Sequence, residues 1–281
     1  MDYEHLPVLV KETLDYLNVR PGKVYVDCTL GGGGHSQAIK TKELTAEVIG
    51  FDQDEEALAA AKSLLKETII YIDDNFRHLK KHLIKPVDGF LFDLGLSSHQ
   101  IDTAERGFSI KENGPLDMRM DKEEKVTAAD LVNQLRHEEL EKIFFQFGEE
   151  KFSRRVAKAI CHHRLNEPIT TTDQLKKIVE EAIPVWKKRE SVTRIFQALR
   201  IAVNQELDSL QTALTDAMGL LNPGGRIVVI SYHSLEDRIV KHTFKQSGLT
   251  VLTKKPVMAG EEEVEINPRA RSGKLRAAEK S

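Results

Sequence analysis

The chain has 281 residues, 40% of them hydrophobic and 30% charged, with 17 Gly, 9 Pro and 2 Cys. That length fits one large or two modest domains, and the mixture excludes fibrous and disordered classes. Two cysteines exclude a disulfide framework, and no apolar run approaches the ~20 residues that span a bilayer. The opening Met1-Asp2-Tyr3-Glu4-His5 lacks the basic-then-apolar start of a secretory signal, so a cytoplasmic protein is expected. The formal net charge is −3, but residues 151–200 hold twelve Lys/Arg against five Asp/Glu. A basic block in an otherwise acidic chain fits a surface for a phosphate backbone, or equally the solvated side of helices.

In chain order, residues 23–28 (Lys-Val-Tyr-Val-Asp-Cys) read as a buried strand ended by a sharp turn at Gly31-Gly32-Gly33-Gly34, with a short helix after it. Residues 47–52 give a second strand, Glu55–Leu65 an Ala-rich helix, residues 68–72 a third strand and residues 86–94 a fourth. Strands alternating with helices predict an α/β fold, a parallel sheet covered on both faces. The alternation then stops. Helical segments are predicted near 128–135, 138–147, 151–165 and 172–182, several of them separated by stops at Gly148, Pro168 and Pro184. Residues 104–192 are therefore expected to form an inserted all-helical subdomain, with residues 1–103 and 193–281 as the core. One long helix is predicted from Thr193, with Leu199, Val203, Leu207, Leu210, Leu214, Met218 and Leu221 along one face. A strand at 226–231, a helix from His233, a strand at 249–253 and a polar, turn-rich tail complete the reading.

In an open parallel sheet ligands bind beyond the carboxyl ends of the strands. Four such ends carry unusual residues. After the first strand come Asp27-Cys28-Thr29-Leu30 and the four glycines, which let the backbone pass close to a ligand. After the second comes Asp52, about 20 residues on, where a carboxylate can accept from both hydroxyls of an adenosine ribose. A dinucleotide or S-adenosylmethionine would satisfy Asp52. A G-x-G-x-x-G pattern, however, would need glycine where Ser36 or Gln37 stands. Asp27 also sets negative charge where a dinucleotide seats its pyrophosphate, which favours S-adenosylmethionine. The fourth strand ends in Asp93-Leu94-Gly95-Leu96-Ser97-Ser98-His99-Gln100, and the strand at 226–231 leads to Tyr232-His233-Ser234-Leu235-Glu236-Asp237. In the latter, Ser234 reads as a helix cap with Asp237 three residues on, which leaves His233 without a structural reason. Cys161-His162-His163 face different ways on a helix and make a poor metal set, and no metal is expected.

These residues resemble a known family. Asp27 to Ser36, Asp93-Leu94-Gly95-Leu96-Ser97-Ser98, Glu105-Arg106-Gly107-Phe108-Ser109 and Gly114-Pro115-Leu116-Asp117-Met118-Arg119-Met120-Asp121 are similar to motifs of the bacterial ribosomal small-subunit RNA (cytosine-N4)-methyltransferases. Residues 193–210, His233-Ser234-Leu235-Glu236-Asp237-Arg238 and Asn267-Pro268-Arg269-Ala270-Arg271-Ser272 extend the resemblance over nearly the whole chain. His99 stands where the family usually has proline, Tyr232 stands where it has phenylalanine, and no Pro-Pro-aromatic motif is present. The resemblance implies a class I, Rossmann-like S-adenosylmethionine-dependent methyltransferase with a helical insert. Its implied substrate is a decoding-region cytosine of 16S ribosomal RNA, methylated within an assembling small subunit. Carried over, the cofactor contacts fall on Gly33, Gly34, His35, Asp52, Phe76, Asp93 and Gln100.

A cytosine amine is a weak nucleophile, and an acceptor on its N–H would help it. Asp93 is the candidate, with Ser97 or His233 as helpers, or else Asp93 is a cofactor ligand only. Three rivals stand beside this reading. A nicotinamide dehydrogenase lacks its glycine pattern here. A small-molecule methyltransferase would not need the basic insert, and a non-catalytic RNA-binding assembly factor would not need the glycine loop.

Overall fold

A computed structural model describes residues 6–281; Met1 to His5, read above for a signal, lie outside the described residues. The chain divides into two compact units, Met1–Ser97 with Leu207–Ser281, and Ser98–Glu206. The second unit is thus longer at both ends than the 104–192 insert expected from sequence.

The first unit is built on seven strands: β1 (Val24–Asp27), β2 (Glu47–Asp52), β3 (Ile70–Asp73), β4 (Val87–Asp93), β5 (Leu221–Ser231), β6 (Thr250–Val251) and β7 (Lys274–Glu279). Their order is β3-β2-β1-β4-β5-β7-β6, parallel from β3 to β5, with β7 antiparallel to both its neighbours. The central strands are apolar without interruption because both faces are covered. Alternate residues divide between two cores. Phe90, Phe92, Ile227 and Val229 join one cluster, while Leu91, Val228, Ile230 and Leu275 join the other.

Helices α1 (Val10–Leu17), α2 (Gly34–Lys42) and α3 (Glu55–Leu65) contribute Leu17, Ile39, Leu58 and Leu65 to the Leu91 side. Asp54 caps α3 by accepting from Glu56 N at 3.1 Å. The short α4 (Leu79–His82) follows a 3-10 turn, Phe76–His78, and supplies Leu79 to the Phe90 side.

The second unit holds α5 (Ser98–Asp102), α6 (Ala128–Gln134), α7 (His137–Gly148), α8 (Ser153–His163), α9 (Thr172–Ala182) and α10 (Lys188–Asn204). Leu140 and Phe144 of α7, Val156 and Ile160 of α8, Leu175 and Val179 of α9, and Ile195 and Leu199 of α10 are all fully buried, at i and i+4 spacing. Thr127 with Asp130, and Thr171 with Gln174, form capping boxes that start α6 and α9. The long loop before α6 is tied down by its own motif residues. The buried Arg106 donates to the carbonyls of Arg119 and Met120 (3.1 and 2.9 Å), and Arg119 forks onto Asp117 with two bonds of 2.8 Å. Asn204 accepts from Met120 N and donates to Met118 O, both at 2.8 Å.

The chain returns to the first unit through α11 (Glu206–Gly219), then α12 (Ser234–Gln246) and α13 (Glu261–Ile266). Three expectations need correction here. The long helix predicted from Thr193 is two helices, broken at Gln205, which takes a left-handed φ of 49°. The strand predicted at 249–253 shrinks to two residues. The polar tail is no loose end: β7 inserts between β5 and β6, and Leu275, Ala277 and Ala278 are fully buried. Arg276, itself buried, forks onto Asp237 of α12 at 2.6 and 3.2 Å, which pins β7 to that helix. Leu275→Ala is therefore expected to destabilise the first unit by about 2–5 kcal/mol, the range for a fully buried leucine. Urea unfolding would read this as a lowered midpoint, and an unchanged midpoint would exclude β7 from the core.

Candidate active site

The strand order reverses beside β1, whose neighbours β2 and β4 lead away in opposite directions, and this is where an open α/β sheet forms its crevice. Asp27, Asp52 and Asp93 are the last residues of β1, β2 and β4. Register aligns Asp27 with Gly50 and Leu91, so the three carboxylates fall at the same end of adjacent strands.

Asp27 is 1% exposed. Its Oδ2 accepts from Ser36 Oγ at 2.8 Å and its Oδ1 from Thr29 N at 3.3 Å. Burial nevertheless pushes its carboxyl above the ordinary value, against the pull of His35, Ser36 and Thr29. His35 is buried on the first turn of α2. Burial there favours the neutral imidazole, but Asp93, Asp27 and Glu263 outweigh it and hold its pKa above the usual value. Its Nε2 lies 3.4 Å from Asp93 Oδ2, an ion-pair distance, yet has no hydrogen-bond partner.

Asp93 is tied on two further sides. Its N–H donates to Thr29 Oγ1 at 2.6 Å, and Tyr232 OH donates to its Oδ1 at 2.8 Å. Burial and the Asp93 charge together push the Tyr232 phenol well above its normal range, so it stays a donor. Thr29 and Tyr232 escaped the sequence reading as parts of the site. The only signal for them is positional, since each closely follows a strand that neighbours β4.

Asp52 is half-buried. It accepts from Gly31 N (2.8 Å) and Asp54 N (3.0 Å), one on each oxygen, which fastens the glycine loop to β2. Burial pushes its pKa up to about 6 against those two bonds. Each oxygen keeps a lone pair for a further donor.

The glycines have different reasons to be glycine. Gly31 and Gly33 take φ of +51° and +88°, and a Cβ on Gly34 would press on Pro7 at 3.0 Å. Gly32 has neither a positive φ nor any atom within 4 Å of where its Cβ would sit. The chain itself does not require glycine there, whereas a ligand lying against the backbone would. Gly32 is thus the observation that fits a bound cofactor, while His35 Nε2 faces Asp93 at ion-pair distance. Carboxylates at three adjacent strand tips suit a cationic ligand rather than a pyrophosphate.

Phe76 lies on the turn after β3 and meets Phe92 edge-on, with centroids 5.8 Å apart, leaving it partly buried. That turn is held by Asp74, which accepts from His78 Nδ1 (2.7 Å), His82 Nε2 (2.7 Å) and Lys81 Nζ (3.1 Å). Despite the cost of burial, these donors keep the Asp74 carboxyl well below the usual carboxylate range.

His233 has the structural role that the sequence reading withheld from it. It is the cap of α12, where its Nδ1 accepts from Glu236 N, and Glu236 Oε2 accepts from the backbone N–H groups of Tyr232 and His233. The expected cap pair of Ser234 and Asp237 is corrected to His233 and Glu236, while Asp237 serves Arg276. Ser97 is half-buried at the end of the first unit. Gln100 belongs to the second unit, where it is buried on α5. Cys28 is fully buried, and burial pushes its thiol far above the normal value, as for an inert core cysteine.

Similar proteins identify the family. Residues 2–281 match the MraW methylase family. The ribosomal RNA small subunit methyltransferase H of Finegoldia magna is 44% identical over 310 aligned residues, covering 100% of this chain and 99% of that protein. A solved structure from Streptococcus mutans, described as a methyltransferase in complex with SAH, has a TM-score of 0.50 at 14% identity, covering 98% of this chain and 99% of that one. At such identity the likeness concerns the fold, which is that of the class I methyltransferases. Matched over essentially its whole length, this chain belongs to the MraW methylase family.

Proposed function

We propose that this protein transfers a methyl group from S-adenosylmethionine to the exocyclic N4 of a decoding-region cytosine in 16S ribosomal RNA. The observation that carries the reading is the set of strand-tip carboxylates around a glycine loop whose Gly32 faces open space. When bound, S-adenosylmethionine supplies an electrophilic methyl group on a sulfonium. Asp52 accepts from the ribose hydroxyls, and Phe76 offers an apolar wall to the adenine. Gly33, Gly34 and His35 form the loop that the amino-acid end would meet, and the resemblance adds Gln100.

Asp93 is the acceptor for an N–H of the cytosine amine. That bond localises the nitrogen lone pair and gives the departing proton a destination. Tyr232 occupies Oδ1 from behind, so the carboxylate is oriented before substrate arrives. Ser97 is the nearest further hydroxyl in sequence, and His233 serves by holding the turn after β5. The cytosine has to leave its stack to reach such a recess.

The second unit supplies the contact with RNA. Arg154, Arg155, Lys158 and His162 form the exposed face of α8, opposite the buried Val156, Ala157 and Ile160, and no carboxylate interrupts that helix. Phosphates suit this face, giving affinity rather than choice of sequence. We place the reaction in the cytoplasm, on an assembling small subunit; no helix of the described residues is long and apolar enough to cross a membrane. The direct test is mass spectrometry of 16S nucleosides from cells lacking the gene. Loss of N4-methylated cytidine is expected, and an unchanged nucleoside profile would refute the assignment.

Three further outcomes are expected. A ribose bound to Asp52 needs the ionised carboxylate, and the free protein holds that group at a pKa of about 6. Affinity for S-adenosylmethionine should therefore be full above pH 6 and fall below it, by at most about tenfold per pH unit. Asp52→Asn should bind more weakly and lose that part of the slope, which calorimetry at several pH values would read. A mutant with the wild-type slope would assign the titration to Asp27 or His35.

Asp93→Asn keeps the size of the side chain and an acceptor for Tyr232 while removing the charge. Single-turnover methyl transfer at saturating cofactor should slow by roughly 10²–10⁴-fold. Near-normal transfer would reduce Asp93 to a cofactor contact.

Arg154→Glu with Arg155→Glu should weaken RNA binding and leave cofactor affinity unchanged. The log–log salt dependence should become shallower by roughly 0.7–0.9 for each phosphate that the variant no longer neutralises. An unaltered salt slope would make this face merely solvated.

A further inference from the structure

The connection from α9 to α10 is a single 3-10 turn, Val185–Lys187, entered through Pro184. It leaves Val185 77% and Trp186 82% exposed, and Trp186 is the chain's single tryptophan. An indole has much apolar surface to remove from water, and folded proteins usually bury most of it. The flanking helices fill their core without it: Leu175, Val179, Ile195 and Leu199 are fully buried. The fold therefore makes no use of Trp186.

Its sequence neighbours indicate a partner. Lys187, Lys188 and Arg189 follow it directly. The next carboxylate, Glu190, is engaged by Lys187 and Arg194, each at 2.6 Å. Among the described residues, Lys188 and Arg189 have no carboxylate partner, so their charge is available to an outside anion. Two adjacent apolar side chains fall far short of the ~800 Å² per partner that a stable protein interface buries. They match a nucleobase much better. An indole stacks on any base because every base has a π face, and cations beside it hold the phosphates of the same strand.

We propose that Trp186 stacks on an unpaired base of the RNA substrate while Lys188 and Arg189 hold the neighbouring phosphates. This rests on RNA being the substrate, and it adds a base contact to the phosphate contacts assigned to α8. Stacking of this kind is tolerant of sequence, so it anchors a single-stranded stretch without choosing the methylated cytosine.

The single tryptophan is its own probe. Titrating the full-length protein with a short unstructured oligoadenylate should quench its emission. Trp186→Ala should bind that RNA roughly 5–100-fold more weakly, while Trp186→Phe retains most of the affinity. Heparin, a polyanion without bases, should bind wild type and Trp186→Ala equally and leave the emission unquenched. Because Trp186 lies outside the core, both variants should keep the wild-type unfolding midpoint. Equal oligoadenylate affinity for wild type and Trp186→Ala, with methylation of 16S RNA intact, would overturn the stacking and leave the proposed function standing. Absence of both RNA binding and methyl transfer in the wild type would overturn both.

Discussion

The site depends on a carboxylate that the fold buries at the end of β1. Asp27 is removed from water almost completely, and that desolvation pushes its carboxyl above the ordinary value despite its partners. What offset there is comes from the start of α2, through Ser36 and His35, and from the Thr29 amide. The same contacts therefore join the end of β1 to the first turn of the next helix and close the four-glycine loop between them. Asp52 fastens that loop to β2 through Gly31, and Thr29 fastens it to β4 through the Asp93 amide. The loop is held in place by the strand tips, with the Thr29 hydroxyl as its own side-chain tie. This leaves the Gly32 surface free for a ligand.

Much of the first unit was legible in the sequence because its strands are apolar on both faces and end in charge. Residues 23–28 and 86–94 announce themselves in that way, and Asp27, Asp52 and Asp93 stand out as acids directly following hydrophobic runs. β7 carried no such signal. Lys274 to Glu279 mixes charge with alanine and reads as easily as helix, because its Arg276 is buried against Asp237 rather than exposed. Its strand identity comes from pairing with β5 and β6, a long-range fact. Gln205 was equally silent: nothing local requires a left-handed residue inside an unbroken apolar stripe. His233 was conspicuous for a different reason from the one inferred. Histidine is an uncommon cap, so its ordinary structural task looked like chemistry.

The two units solve different physical problems. The first concentrates negative charge at strand tips, where under the proposed function a positively charged cofactor offsets it. The second buries Arg106 and Glu150, but capping boxes and apolar stripes hold its helices, and the outer face of α8 carries lysine and arginine. Residues 151–200 carry +7 while the other residues of the second unit carry −7, so the separation of charge lies within that unit, which is neutral as a whole. Net charge alone, at −3, conceals this separation.

That separation bears on how a base could be methylated without its backbone following it in. Two unit charges 4 Å apart interact by about 1 kcal/mol in water and about 4 kcal/mol at the effective dielectric of a protein surface. A phosphate brought to the Asp27, Asp52 and Asp93 tips would meet repulsion from several carboxylates at once. A cytosine is neutral, and its amine donates, so the same carboxylates that repel phosphate attract the atom to be methylated. Under the proposed function, the acidity of the site then excludes the polyanion and admits the base. The affinity that the site forgoes must come from a surface that takes phosphates and unpaired bases elsewhere. The basic face of α8 and the exposed turn at Trp186 are what the second unit offers for it.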